Sequence, residues 1–376
     1  MRVAVIHNLV PGGARRTIEQ HLPHFASDVV ELCPATATPV TAEASVVPMA
    51  LHAASVPRGL RPPLRYADLV AVVRCWRMLA RRMEALQPDV VLAHPCQFTQ
   101  APAALLWSDV PAVYFCHEPR RVDYEPAAAA TVNPQTKGIY APLHGAYRWL
   151  DRSATARAAE IVTNSRYTAD RIHAAYDRTA TPVPMGAVEL FRPAPEPVVP
   201  RHVLTVGALL PSKGHDLVLR SVAATKARRP VIVVTARQGG EEQARLHALA
   251  RQLDVSLEVR VGVEDAELRD LYRSALATAY LAREEPLGLV ALEAQAAGCP
   301  VVVANEGGLP ETVVDGETGF VVPRDPALVA ERLEGLEDPA VRRPLAERAA
   351  EHGAAATWQR SAQAVEDHLR RVAPGV

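Results

Sequence analysis

Short apolar runs separated by longer mixed stretches recur along this chain. Arg2-Val-Ala-Val-Ile6, Asp89-Val-Val-Leu-Ala93, Ala112-Val-Tyr-Phe-Cys116 and Glu160-Ile-Val-Thr163 lie in the first half. Val203 to Val206, Val231-Ile-Val-Val-Thr235, Leu257-Glu-Val-Arg-Val261 and Val301-Val-Val-Ala304 lie in the second. Runs this short and this rich in Val predict strands buried on both faces. The stretches between them read as helices, and that alternation predicts an α/β chain built on parallel sheets. Tyr66 to Leu86 is an amphipathic helix candidate, and Thr357 to Leu369 has helical periodicity with Trp358 as its anchor. The prolines of Thr181 to Pro200 exclude helix there and read as a stiff connector. Two domains are therefore expected, over residues 1–192 and 193–352, with a terminal helix over 353–376.

After the last-but-one apolar run the pattern changes. Glu285 and Glu293 stand on either side of Gly288, in a segment opened by Pro286 and closed by Gly298. Proline suits a first helical turn, where its missing N–H has no partner to lose, and glycine suits the left-handed residue that ends a helix. A helix of about three turns is expected between them. Its start offers the N–H groups of Gly288, Leu289 and Val290 and the positive end of the helix dipole, a setting for a diphosphate. Eight helical residues span roughly 12 Å, which leaves room for that diphosphate between the carboxylates. One acid would hold hydroxyls of a sugar and the other those of a ribose.

The stretch Glu285-Pro-Leu-Gly-Leu-Val-Ala-Leu-Glu-Ala294 resembles the E-x-F-G-L-x-x-x-E-A signature of the retaining glycosyltransferases of the GT-B fold, family 4, with Leu287 where Phe is commoner. Ala297 to Ala304, Glu306 to Glu311 and Asp315 to Val322 resemble that family's continuation as strand, glycine turn and hairpin. Val203 to Val218 resembles its V-G-R-L-x-x-x-K-G segment, with Lys213 as the cation beside the donor phosphates. A fixed cation there stabilises the charge that develops on a leaving nucleotide. The chain otherwise uses Arg for positive charge, its only lysines being Lys137, Lys213 and Lys226. It departs from the family at Ala208, which falls on the phosphate-binding Arg, and Arg283 is the nearby substitute in sequence. Gly186 to Pro193 resembles a shortened form of the family's interdomain linker, and the terminal helix resembles one that crosses back onto the first domain.

The resemblance implies that the two domains are Rossmann-like, with a nucleotide-diphosphate sugar held mainly by the C-terminal domain, an acceptor held mainly by the N-terminal domain, and transfer in the cleft between them. Glu293 would hold the ribose, Glu285 the sugar hydroxyls, Lys213 and the Gly288–Val290 amides the diphosphate, and the backbone around Arg260 and Val261 the base. In the first domain the loop after the first strand, with Gly12 and Gly13, would face the phosphates, although a plain tight turn reads equally well. It is not G-x-G-x-x-G, so it carries no dinucleotide fingerprint. His117, in Cys116-His-Glu-Pro-Arg120, would touch the transferred sugar or place the acceptor hydroxyl. Glu118, Arg120 and Tyr124 follow as acceptor-side candidates, with Tyr140, Tyr147 and Trp149 around the Ala127–Ala130 run as a wall or packing surface. Ser165 reads as a helix cap. The expected donor is a UDP-hexose or UDP-GlcNAc, with GDP-mannose second, and the acceptor a small molecule, a glycan or a lipid-linked hydroxyl. The alternatives are a sugar-nucleotide epimerase of similar fold and a nucleotide-sugar-binding regulatory subunit.

Composition narrows the partners. A formal charge of −1 argues against a generally basic nucleic-acid binder. No uncharged apolar stretch is long enough to span a bilayer, and the opening residues read as a first strand instead of a signal peptide. Cys33, Cys75, Cys96, Cys116 and Cys299 are odd in number and scattered, as in a reducing cytoplasm. His94-Pro-Cys96 is too sparse for a metal site, so neither metal nor cofactor is expected. Arg58, Arg61, Arg65, Arg74, Arg77, Arg81 and Arg82 crowd the Tyr66–Leu86 region. Such a face suits solvent or the surface of an anionic membrane.

Overall fold

The computed structural model describes residues 1–52, 61–125, 134–196 and 198–375, with the side chains of 61, 62, 134–137 and 139 left aside. The chain forms two compact units, Met1–Val183 with Ser361–Val376, and Pro184–Arg360.

The first unit is built on a parallel seven-stranded sheet of order β3-β2-β1-β4-β5-β6-β7. Its strands are β1 (Arg2–Asn8), β2 (Asp28–Pro34), β3 (Ser45–Val47), β4 (Val90–Cys96), β5 (Ala112–Phe115), β6 (Glu160–Thr163) and β7 (Thr181–Pro182). β4 and β5 are buried along their whole lengths, as their unbroken apolar runs require. The Tyr66–Leu86 pattern forms the helix Arg61–Ala85, whose Trp76, Leu79 and Met83 are fully buried. On its outer side Arg65 lies 4.8 Å over Tyr140, Arg77 lies 4.8 Å over Trp107, and Arg82 donates to Val46 O. Those three arginines are engaged by the protein's own groups. Arg58, the Arg61 side chain and the Ala127–Ala130 run lie outside the described residues.

The second unit has a six-stranded parallel sheet of order β10-β9-β8-β11-β12-β13. Its strands are β8 (His202–Val206), β9 (Val231–Thr235), β10 (Leu257–Val261), β11 (Ala275–Tyr280), β12 (Val301–Ala304) and β13 (Gly319–Val322). Gly319–Val322 pairs in parallel with Val301–Ala304, and at the hairpin expected over Asp315–Val322 the chain makes a tight turn, with an isolated bridge from Asp315 to Gly319 and Gly316 N donating to Gly319 O at 2.8 Å. A parallel neighbour needs a crossover, which residues 305–318 supply with the short 3-10 turn Leu309–Thr312.

Five strands escape the apolar-run pattern, β13 among them, expected only as part of the hairpin. β3 and β7 are very short. β2 carries a glutamate in its middle, tolerated because Glu31 is fully bonded: His7 Nε2 lies 2.8 Å from it, and the Val40 and Thr41 amides donate to it at 2.8 and 2.6 Å. β11 reads Ala-Leu-Ala-Thr-Ala-Tyr, whose alanines carry little strand signal.

The unit boundaries also differ from the proline reading. Residues 184–192 belong to the second unit, because Ala187 and Phe191 are buried in its core. The helix Pro339–Ala355 occupies 353–355, and the terminal helix is Trp358–Val372. From Ser361 onward the chain counts with the first unit, where Ser361 Oγ meets His21 Nε2 at 2.7 Å and Glu366 accepts from Ser27 Oγ at 2.6 Å.

A buried acid in the first unit gives a measurable pH signature. Asp151 accepts from Ala101 N at 3.1 Å and from Tyr176 Oη at 2.8 Å, yet burial pushes its pKa up to about 7 against the opposition of those bonds. A carboxyl whose folded pKa lies above its unfolded value loses stability as pH rises from about 4 to about 7. Asp151→Asn keeps the shape without the charge. It should match the wild type at pH 4 and gain stability on it up to pH 8, by at most about 4 kcal/mol. Chemical denaturation at several pH values checks this, and a variant destabilised equally at all of them would overturn it.

Candidate functional site

In an open parallel sheet, ligands gather at the carboxyl ends of the strands where the winding reverses, because loops leave to opposite faces there. In the second sheet that point lies between neighbouring strands β8 and β11. The loop after β8 carries Lys213, and the loop after β11 carries Glu285. The two side chains meet: Lys213 Nζ lies 2.6 Å from Glu285 Oε2, both largely shielded from solvent.

A third group completes the contact. Lys213 Nζ also donates to Tyr280 Oη at 3.3 Å, so one ammonium holds the phenol and the carboxylate side by side. Tyr280 is buried at the end of β11, and burial, then the charge of Glu285, raise its pKa well above the usual phenol value. The charge of Glu293 adds to that shift more weakly. Glu293 is itself 6% exposed and accepts from Tyr272 Oη at 3.2 Å.

The helix between the acids is shorter than its flanking Pro and Gly suggest. It runs Leu289–Ala296, with Gly288 as N-cap and Gly298 in the left-handed region at φ 74°. Pro286 therefore lies in the loop before it, and Glu285 is held there by Gly308 N, which donates to its carbonyl at 2.8 Å. Gly288 has φ 100°, and a Cβ there would come 2.5 Å from Leu309 Cδ2 and 3.5 Å from the Tyr280 ring. Only glycine brings the backbone so close to the phenol. No side chain caps this helix start. It presents the Leu289 and Val290 amides beside Tyr280 and Glu285, the setting that favours an anion.

Among the neighbouring cations, the sequence singles out Arg283 and misses Arg324. Arg283 is exposed, and its amide is tied to Ser212 O at 2.7 Å. Arg324, just after β13, places Nη1 3.2 Å from where a Gly214 Cβ would be, one residue past Lys213. Its Nε is 3.6 Å from Glu306, while Nη1 is buried without a hydrogen-bond partner. Burial, then the charge of Arg283, pull the Arg324 pKa down. Nothing in the sequence pattern marks this residue, because it follows a strand on the far side of the sheet. Ala208 is exposed, and its carbonyl holds His215 Nε2 at 3.1 Å. Arg260, near the carboxyl end of β10, is engaged by Glu258 at 2.7 Å and Glu267 at 3.0 Å, and Val261 is exposed.

In the first unit the winding reverses between β1 and β4. Gly12 caps the helix Gly13–His21 just after β1, and both glycines are exposed. His117 follows β5 and is buried, stacked on Phe115 at 4.5 Å, with Nε2 3.4 Å from His94 Nδ1. Burial pulls its pKa down to about 3, so the imidazole is neutral near pH 7. Asn164 Nδ2 donates to its carbonyl at 3.3 Å, and Ser165 caps the next helix by accepting from Thr168 N. The acceptor-side candidates are less open than their sequence suggests. Arg120 is paired with Asp123 at 2.6 Å, Glu118 O accepts from Gln100 at 2.7 Å, and Tyr124 packs edge-on to Tyr176. Tyr140 is buried while Trp149 is 63% exposed, so these aromatics do not form one wall.

Among the described residues, His7, Glu31 and Cys33 bring metal-type donor atoms within 4.8 Å of one another. Glu31 is taken up by His7 and two backbone amides, and His7 Nδ1 already accepts from Leu9 N at 3.3 Å, so the cluster works as internal bracing of β1 against β2. No described helix is long and apolar enough to cross a membrane.

Two protein families match this chain, one over each half: residues 11–186 match Glycosyltransferase Family 4, and residues 189–353 match Glycosyl transferases group 1. A D-inositol 3-phosphate glycosyltransferase of Streptomyces avermitilis is 32% identical over 252 residues, 58% of this chain and 54% of that protein. One from Saccharomonospora viridis is 29% identical over 84% of this chain and 78% of its own length. The chain spans about half the length of several such curated relatives. The fold is shared with sucrose-phosphate synthase from Thermosynechococcus elongatus, at a TM-score of 0.76 and 18% identity over 99% of this chain and 98% of that one. It is shared too with Anabaena HepE in complex with UDP, at 0.72 and 18% over 99% and 100%.

Proposed function

We propose that this chain, which belongs to glycosyltransferase family 4 of the GT-B fold, moves a hexosyl or N-acetylhexosaminyl group from a UDP-linked donor to an acceptor hydroxyl with retention at the anomeric carbon. The observation that carries this reading is the meeting of Lys213, Glu285, Tyr280 and the start of the helix Leu289–Ala296 at the reversal point of the second sheet. A cation, an uncapped helix start and two carboxylates are the complement of a diphosphate flanked by two polyols.

In this reading the second unit binds the donor. Lys213 and the Leu289 and Val290 amides take the diphosphate, with Gly288 allowing its approach. Glu293 takes the ribose, Glu285 the sugar, and the backbone at Arg260 and Val261 the base. Arg324, in place of Arg283, supplies the second cation that Ala208 lacks. Gly12 and Gly13 would meet the phosphates from the first unit, where His117, Glu118, Arg120 and Tyr124 would face sugar and acceptor. The bond from the anomeric carbon to the β-phosphate oxygen breaks and the acceptor oxygen bonds that carbon on the same face. The departing phosphate takes the acceptor proton. Lys213 and Arg324 stabilise the charge that grows on the diphosphate, and no metal ion is needed. The inositol phosphate named for the relatives is the first acceptor to try.

His117 tests the division of labour. Its neutral imidazole can bond a sugar or acceptor hydroxyl without itself titrating near pH 7. His117→Ala should lower turnover about tenfold or more, the worth of one or two hydrogen bonds, while the dissociation constant for UDP stays within about twofold. Steady-state rates and calorimetry on the same preparations check it. Wild-type turnover would return His117 to a packing role.

A further inference from the structure

Tyr280 is buried at the end of β11, and Lys213 Nζ holds its hydroxyl at 3.3 Å and Glu285 Oε2 at 2.6 Å, an arrangement with a consequence for donor binding. The Glu285 carboxylate faces the lysine at 2.6 Å. That lysine is the cation assigned to the diphosphate. When it turns its charge toward the phosphates, a carboxylate only 15% exposed loses its closest partner. A shielded carboxylate left so is costly unless another donor remains. The phenol, beside the carboxylate on the same ammonium, is placed to be that donor. It is fixed by burial and by the Gly288 backbone, whose Cβ, if it had one, would lie 3.5 Å from the Tyr280 ring.

We infer that Tyr280 is a positioning residue: its hydroxyl keeps Glu285 aimed at the sugar of the donor while Lys213 is drawn from the carboxylate to the diphosphate. The inference rests on the proposed donor site and adds to it a hand-over of Glu285 from Lys213 to Tyr280. Phenylalanine at this position would fill the same space and leave Glu285 with no fixed donor once the lysine turns away. The sugar would then lose its anchor, whereas a bare nucleoside diphosphate, which does not touch Glu285, would not.

The test compares UDP and UDP-glucose binding to wild type and Tyr280→Phe by calorimetry, with Lys213→Ala as reference and melting temperatures as a check on folding. Tyr280→Phe should bind UDP within about twofold of wild type and UDP-glucose about tenfold more weakly, the worth of a hydrogen bond to a charged group. Lys213→Ala should weaken both ligands. A merely structural role would weaken UDP and UDP-glucose by the same factor. That outcome, or unchanged affinity for both, overturns the inference and leaves the donor site standing. If wild type binds neither nucleotide, the donor reading and this inference fall together.

Discussion

Lys213→Ala should lower turnover roughly 10²- to 10³-fold, about 3 to 4 kcal/mol in the barrier, the usual cost of removing a preorganised charge stabiliser. The number is at the upper end because Ala208 leaves this site without the arginine its relatives are expected to place there. Two other cations are close in the fold, and the structure separates them. Arg283 is exposed, whereas Arg324 Nη1 is buried, unpartnered and next to Gly214. Lys213→Ala combined with Arg324→Ala should therefore be non-additive, since both act on one diphosphate, and combined with Arg283→Ala it should be additive. Turnover within a few-fold of wild type in Lys213→Ala alone would mean that the phosphate site lies elsewhere.

Glu293→Ala should weaken UDP on the order of 10- to 100-fold, the range expected when a charge-assisted hydrogen bond is lost in a shielded site. Glu293 is 6% exposed, so solvent screens it little. Truncation also removes an acceptor of Tyr272 Oη, and Glu293→Gln separates the two effects by keeping an oxygen for that hydroxyl while removing the charge. The glutamine variant should melt near the wild-type temperature and still bind UDP poorly. If both variants bind UDP as wild type does, Glu293 is a structural partner of Tyr272 and the ribose is held elsewhere.

The sheets were legible where burial on both faces imposes an unbroken apolar run, as in β1, β4, β5, β9 and β12. They were not legible where a polar residue is satisfied by contacts far along the chain: Glu31 sits inside β2 because His7, Val40 and Thr41 bond it. Spacing likewise marks the two acids and the glycine of the candidate site, since a helix start with flanking carboxylates is a local pattern. The groups that join them are not local. Tyr280 looks like an ordinary strand residue until the fold sets its hydroxyl against Lys213, 67 positions away. Arg324 reaches the same neighbourhood only through the crossover to β13. The expected hairpin is reduced to the Asp315–Gly319 turn because β13 pairs with β12 in parallel, a pairing that a glycine turn before a strand does not reveal.

The most direct measurement follows labelled donors, UDP-glucose, UDP-GlcNAc and GDP-mannose in turn, incubated in EDTA with wild-type protein and an acceptor panel headed by D-inositol 3-phosphate. One UDP-sugar should release free UDP in step with label appearing in a glycoside whose anomeric configuration matches the donor, at a rate that EDTA does not slow. An isomerised donor with no free nucleotide, a glycoside of inverted configuration, or donor bound without turnover across the panel would contradict it.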